Sequence, residues 1–199
     1  MAEIKAIYEE HKHRYGYRGT QGPIKPDIIK RSFSAVYPNH KWYSDITEFK
    51  LKGQKTYLSP IIDGCTQEII SYTISRSPNL KQTMDMLRQA WRKHPALNGL
   101  IFHTDQGWQY QNGQLQAWLK NHGISQSMSR KGNSLDDGLM EGFFGILKRE
   151  MFYGFEKQFK NLTELEDAIR DYIEYYNQKR IKIKLKGLTP LEYRQLVLS

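Results

Sequence analysis

The stretch Lys41–Ser75, KWYSDITEFKLKGQKTYLSPIIDGCTQEIISYTIS, decides the fold. Trp42–Phe49 is aromatic and β-branched, and Lys52-Gly53-Gln54 is a turn signal. Thr56–Ile62 and Glu68–Ile74 follow as two more predicted strands, separated at Asp63-Gly64 by a strong hairpin turn signal. Downstream the period changes. Leu80, Met84, Leu87 and Trp91 share one face of a predicted helix over 80–93, closed by Pro95 and Gly99. Leu100–Phe102 is short and fully apolar, as buried parallel strands are. Asn112–Asn121 reads as a helix with Leu115, Trp118 and Leu119 inward and Gly123 at its end. Ile124–Ser127 is a brief strand, Ser129–Asp136 a polar loop, and 137–151 a helix. A further helix covers Leu162–Tyr176, and Thr189-Pro190 opens a last short one. Three strands, helix, strand, helix, strand, helix is the order of an α/β domain. Its mixed sheet, flanked by helices, has antiparallel hairpins first and parallel strands later, and a helical C-terminal tail follows.

Three carboxylates interrupt or end apolar stretches of this frame: Asp45 in WYSDIT, Asp105 in FHTDQGWQY and Glu141 in MEGFFGILKRE. A charge in such a place is costly unless a cation meets it. Asp105 lies just past the carboxyl end of a predicted strand, where open α/β sheets bind ligands, and Gly107 beside it permits close backbone approach. Glu141 lies near the start of its helix, where the dipole favours negative charge. Lys148, seven residues on, falls two turns along the same face. Each acid alone has an ordinary explanation: a turn or ion pair for Asp45, an Asx turn for Asp105, the helix dipole for Glu141. Brought together they would repel, and divalent Mg²⁺ or Mn²⁺, which prefer hard oxygen ligands, would turn the repulsion into a site. His103 suits either a ligand-orienting role or a strand-end core position. Gln106 and Gln109 are potential DNA contacts, Trp108 and Tyr110 packing residues, and Asp63 a turn residue.

The 199 residues suit one core domain with arms, and 39% hydrophobic content supplies a core. No apolar run approaches a membrane span and no signal pattern opens the chain. Cys65 is the only cysteine, which rules out an internal disulfide and a thiolate cluster and suits a reducing cytosol. A formal net charge of +9 favours a polyanionic partner. The basic residues gather at the ends: Lys5, Lys12, Arg14 and Arg18 in a first helical stretch, and Lys179, Arg180, Lys182, Lys184 and Lys186 near the C-terminus. Residues 21–40, with Pro23, Pro26 and Pro38, read as a linker or extended arm. The expected organisation is a basic arm and linker over 1–40, a catalytic core over 41–155 and a basic helical tail over 156–199.

WYSDIT, FHTDQGWQY, SMSRKGN (127–133), MEGFFGILKRE and YIEYYNQKRIKIKLKGLTPLEYR (172–194) together resemble the integrase-like catalytic core of bacterial insertion-sequence transposases. More narrowly they resemble the group whose transposase fuses two reading frames, of which this would be the second. The 35 residues at positions 106–140, between the second Asp and the Glu, fit the same pattern. The resemblance implies an RNase H-like fold and a DDE-type polynucleotidyl transferase using two metal ions, Mg²⁺ or Mn²⁺. It assigns Asp45, Asp105 and Glu141 to the metals and Lys148 to the basic position after the Glu. It makes Ser129, Arg130, Lys131 and Asn133 a DNA-contacting loop, with Lys182 and Lys184 as further DNA contacts. Element ends and target DNA are the implied partners, with homo-oligomers on DNA and an upstream-frame helix-turn-helix protein or fusion. The implied setting is the bacterial cytoplasm, at the nucleoid, with no membrane. Relative to that family the segment between YGYR (Tyr15–Arg18) and the first strand is short, and no helix-turn-helix precedes it. Chemistry without recognition of element ends is therefore expected, and a non-catalytic DNA-binding fragment or decayed copy is the alternative.

Overall fold

The computed structural model describes residues 21–95, 97, 99–130 and 138–199. The region of the first predicted strand forms β1 (Lys41–Ser44) and β2 (Thr47–Leu51), followed by β3 (Gln54–Asp63) and β4 (Ile69–Ser75). β1 and β2 both run antiparallel to β3, in one continuous register that pairs Ser44 with Ile61 and then Thr47 with Leu58. They are one strand with a two-residue break at Asp45-Ile46. The same register sets Pro60 opposite Asp45, and Pro60 has no N–H to give to a ladder. Tight chemistry closes the next turn: Lys52 (φ 48°) and Gly53 (φ 79°) are both left-handed, as a two-residue hairpin loop requires. In β2 the burial alternates, with Thr47, Phe49 and Leu51 inward and Glu48 and Lys50 exposed.

β5 (Ile101–Thr104) and β6 (Ser125–Met128) extend the sheet in parallel on the other side of β1. Ser44 pairs with Thr104, and Thr104 with Met128, so three neighbouring strands end level with one another.

Among the described residues five α-helices flank the sheet: α1 (Leu80–Lys93), α2 (Gly113–Asn121), α3 (Gly138–Met151), α4 (Leu162–Gln178) and α5 (Pro190–Leu198). Their starts follow capping chemistry. Asn79, Asn112 and Asn161 accept backbone N–H bonds at the first turns of α1, α2 and α4, and Thr189 with Glu192 forms a capping box on α5. On one face of the sheet α1 and α2 bury Met86, Leu87, Leu115 and Leu119 against Trp42, Ile61 and Phe102. On the other, α3 and α4 bury Phe143, Leu147, Leu165 and Ile169 against Tyr43, Phe49 and Leu58. The stretch expected as a tail therefore supplies part of the core through α4. No described helix is long and apolar enough to cross a membrane.

Residues 21–40 hold no regular element, as a linker would, yet they are fastened down. Gly22 N donates to Gln111 O, Ile28 N to Ser127 Oγ, and Ile29 is buried in the core. The helical stretch expected at the start of the chain lies outside the described residues.

Candidate active site

Two of the three acids meet at the shared carboxyl end of the parallel strands. Asp45 follows Ser44 and Asp105 follows Thr104, and that pair of residues is in register. The acids therefore leave the sheet side by side. Asp45 occupies the break between β1 and β2, where its Oδ1 accepts the Ile46 N–H at 2.6 Å. Asp105 Oδ1 accepts the Gly107 N–H at 2.9 Å. A Cβ on Gly107 would fall 2.9 Å from that oxygen and 2.5 Å from Gln109 Nε2, so a larger residue would have to displace both side chains. Burial raises the Asp105 pKa, and the Gly107 hydrogen bond only partly opposes it.

Behind the pair sits Tyr110, fully buried, with its hydroxyl 3.0 Å from Ser44 Oγ. Its pKa is raised by burial first and then by the charge of Asp45, with a smaller contribution from Asp105. Tyr110 thus ties the loop carrying Asp105 to the strand carrying Asp45. The packing role expected for it holds, but the hydroxyl's place beneath both acids has no signal in local sequence. His103 behaves as a core residue: it is buried, with Nδ1 2.8 Å from Ser127 Oγ and its ring 5.7 Å from Tyr43. Gln106 spends its amide on Ser129 O at 3.0 Å, and Gln109 is buried. Asp63 is a turn residue as expected: its Oδ1 accepts from Cys65 N, Thr66 N and Thr66 Oγ1.

Glu141 lies in the first turn of α3 and is exposed. Among the described residues no group of three or more His, Cys, Asp and Glu side chains is drawn together closely enough to hold a metal. The fold thus pairs Asp45 with Asp105 and leaves Glu141 outside that pair, on a helix whose Met140 and Phe143 anchor it to the core. Lys148, two turns along α3, is half-buried with its ammonium 5.2 Å from the centre of the Phe49 ring. Burial lowers its pKa, and Glu48 opposes the shift.

The other expected DNA contacts separate. Arg130 is exposed, one residue beyond Ser129, which follows the end of β6 as Asp105 follows the end of β5. Lys131 and Asn133 lie outside the described residues. Lys184 is exposed, whereas Lys182 turns inward and donates to the Tyr176 hydroxyl at 2.6 Å. Burial first, then Arg180 and Lys184, lowers Lys182 to about 8.

The integrase core domain family matches residues 35–134, and a second family of the same description matches 141–198. The chain belongs to the integrase-core family of insertion-sequence transposases. It is 50% identical over 191 residues to transposase InsK of insertion sequence IS150 from Escherichia coli, an alignment covering 96% of this chain and 66% of InsK. A transposase-like protein of Haemophilus influenzae is 48% identical over 191 residues, with 96% of this chain and 87% of that protein covered. The chain thus spans about two thirds of the length of InsK. Two solved structures share its fold. The simian T-cell lymphotropic virus intasome in complex with PP2A regulatory subunit B56 gamma matches with a TM-score of 0.70 and 20% identity, over 92% of this chain and 62% of that one. The HTLV-2 integrase catalytic core domain in complex with magnesium matches with a TM-score of 0.62 and 24% identity, over 80% of this chain and 98% of that one. The RNase H-like mixed sheet expected from the resemblance is the fold observed.

Proposed function

We propose that this member of the family is the catalytic core of a transposase that cuts DNA strands at element ends and joins them to new DNA. The observation that carries the reading is the level emergence of Asp45 and Asp105 from adjacent parallel strands in a chain of this family. Asp45, Asp105 and Glu141 would hold two Mg²⁺ or Mn²⁺ ions. The donor chemistry fits: two carboxylates lie side by side, and one of them is held in surroundings that penalise its charge. Glu141, on the exposed first turn of α3, would supply the third carboxylate. When bound, such ions stabilise the attacking and leaving oxygens of an in-line displacement.

The chain's own groups do the rest. The Ile46 and Gly107 N–H groups each orient one oxygen of its Asp. Lys148 is half-buried with its charge disfavoured by that burial, so an anion beside it, such as a DNA phosphate, would be favourable. One P–O bond forms as another breaks, so no ATP is consumed and no nucleophilic side chain is needed. Water attacks in cleavage and a DNA 3′-hydroxyl attacks in joining. Oligomers on DNA, a fused or separate upstream-frame partner and action at the bacterial nucleoid belong to the same proposal.

The test is strand cleavage on duplexes carrying element ends, with Mg²⁺ or Mn²⁺. Asp105→Asn is expected to remove cleavage while the circular dichroism spectrum stays that of the parent. Cleavage by that variant at the parental rate would end the proposal.

A further inference from the structure

The basic run near the C-terminus is sorted by the fold into an inner and an outer set. No acid occurs between Glu174 and Glu192, while Lys179, Arg180, Lys182, Lys184 and Lys186 all fall there. The inner set builds a clamp. Arg180 grips Glu150 of α3 through Nε and Nη2, Lys182 bonds Tyr176, and Leu185 is buried. Lys182 N donates to Leu188 O at 3.0 Å, and Gly187 N donates back to Lys182 O at 3.1 Å, closing the base of the loop. Lys186 (φ 58°) and Gly187 (φ 79°) make the left-handed return.

The outer set is what this clamp displays. Ile183 is 97% exposed at the tip and Ile181 67% exposed beside it. Lys179, Lys184 and Lys186 are exposed around them. This aliphatic pair is displayed by a loop whose base is closed by backbone hydrogen bonds. Its surroundings are cationic, which disfavours a basic protein partner and favours a polyanion. Duplex DNA meets both demands, because proteins that grip phosphates with Lys or Arg commonly press an apolar wedge against or between base steps.

We infer that the 182–188 loop is a DNA-docking element in which Ile183 contacts the bases through a groove while Lys184 and Lys186 hold the flanking phosphates. The inference rests on the DNA-directed reading above, and it adds a contact that has no part in the chemistry. It separates two lysines that look alike in sequence: Lys184 faces the DNA, and Lys182 braces the loop from behind.

The experiment measures binding of the full chain to a short duplex containing 2-aminopurine, across a series of salt concentrations. Lys184→Gln and Lys186→Gln are each expected to lower the salt slope by about one. Ile183→Ser is expected to weaken binding about tenfold at every salt concentration, a loss of about 1.4 kcal/mol, with the slope unchanged. It should also reduce the 2-aminopurine fluorescence gain that reports unstacking. Parental affinity and fluorescence for Ile183→Ser overturn the inference. So does weakened binding that tracks a loss of self-association in DNA-free sedimentation, because Ile183 would then face a second copy of the chain. If the parent cleaves DNA while Ile183→Ser binds like it, only the docking element fails. If the parent binds no duplex, the transposase reading fails with it.

Discussion

The two ends of the β1–β3 pair treat buried acid in opposite ways. At the amino end of β1, Glu68 is fully buried and meets Lys93 Nζ at 2.6 Å and Arg194 Nη1 at 3.0 Å. Arg194, on α5, also donates to Asn39 Oδ1, which accepts from the Trp42 indole as well. Asp63 at the same end receives N–H bonds on both oxygens, from Cys65 and Thr66 on one and Asn39 on the other. At the carboxyl end Asp105 has one backbone N–H and a pKa raised by burial. One end neutralises its buried Glu68 with cations from within the chain and ties the C-terminal helix to the sheet. The other holds its charge in a less satisfied state, the condition in which an external cation has most to contribute.

The contrast can be broken most forcefully at the satisfied end. Arg194→Met strips Glu68 of its buried partner and leaves it only the half-exposed Lys93, so it should cost up to about 3–5 kcal/mol in urea unfolding, the loss for breaking a buried pair. The double variant Arg194→Met/Glu68→Met should recover most of that loss, and equal instability of both would show that Arg194 acts only through packing.

Acid should act at the same end. His94 stands beside Arg194, with Nδ1 3.4 Å from Nη2, and burial first, then Arg194 and Lys93, lowers its pKa to about 4. The unfolded chain therefore binds more protons than the native one between about pH 6.5 and 4. The stability contributed by neutral His94 is complete above the upper value and is lost as pH falls through that window. His94→Gln should flatten thermal stability over that window, and an unchanged pH profile would remove His94 from the account.

At the other end the expected effects are smaller and need a ligand. Mg²⁺ at a hundred times its Kd should stabilise the parent by about 2.7 kcal/mol in thermal melts. Asp105→Asn should lose that shift. In metal-free buffer near neutral pH it should also melt slightly above the parent, because a carboxyl whose pKa is raised by the fold carries its charge at a cost to the native state. A parental Mg²⁺ response in the variant would place the cation elsewhere. The smallest effect should come from Tyr110→Phe, at about 1 kcal/mol for the lost Ser44 hydrogen bond. Its Mg²⁺ titration should shift to higher concentration if Tyr110 positions the Asp pair, and stay in place if the hydroxyl only packs.

Much of the frame was legible in local sequence. The aromatic and β-branched stretch Trp42–Phe49, the Lys52-Gly53 turn and the apolar face of the helix over Leu80–Lys93 each depend on residues within a few positions of one another. So does the placement of Asp105 just past an apolar strand. The features that escaped depend on distant partners. The break at Asp45 faces Pro60, in the neighbouring strand. Tyr110 reaches Ser44, 66 residues away. The segment 21–40 looks like a linker because its anchors, Gln111 and Ser127, belong to the opposite side of the chain.

The order of strands and helices, the acids that interrupt them and the excess of basic charge were set by residue type and spacing alone. Those are properties of periodicity and composition, readable without neighbours. Which acids stand together, and which of two nearby lysines faces solvent, was decided by packing. The parallel register of β1 with β5 sets Asp45 against Asp105, and the Tyr176 ring draws Lys182 inward while Lys184 stays out. Register and burial arise between segments far apart in the chain, so only the assembled sheet and its covering helices determine them.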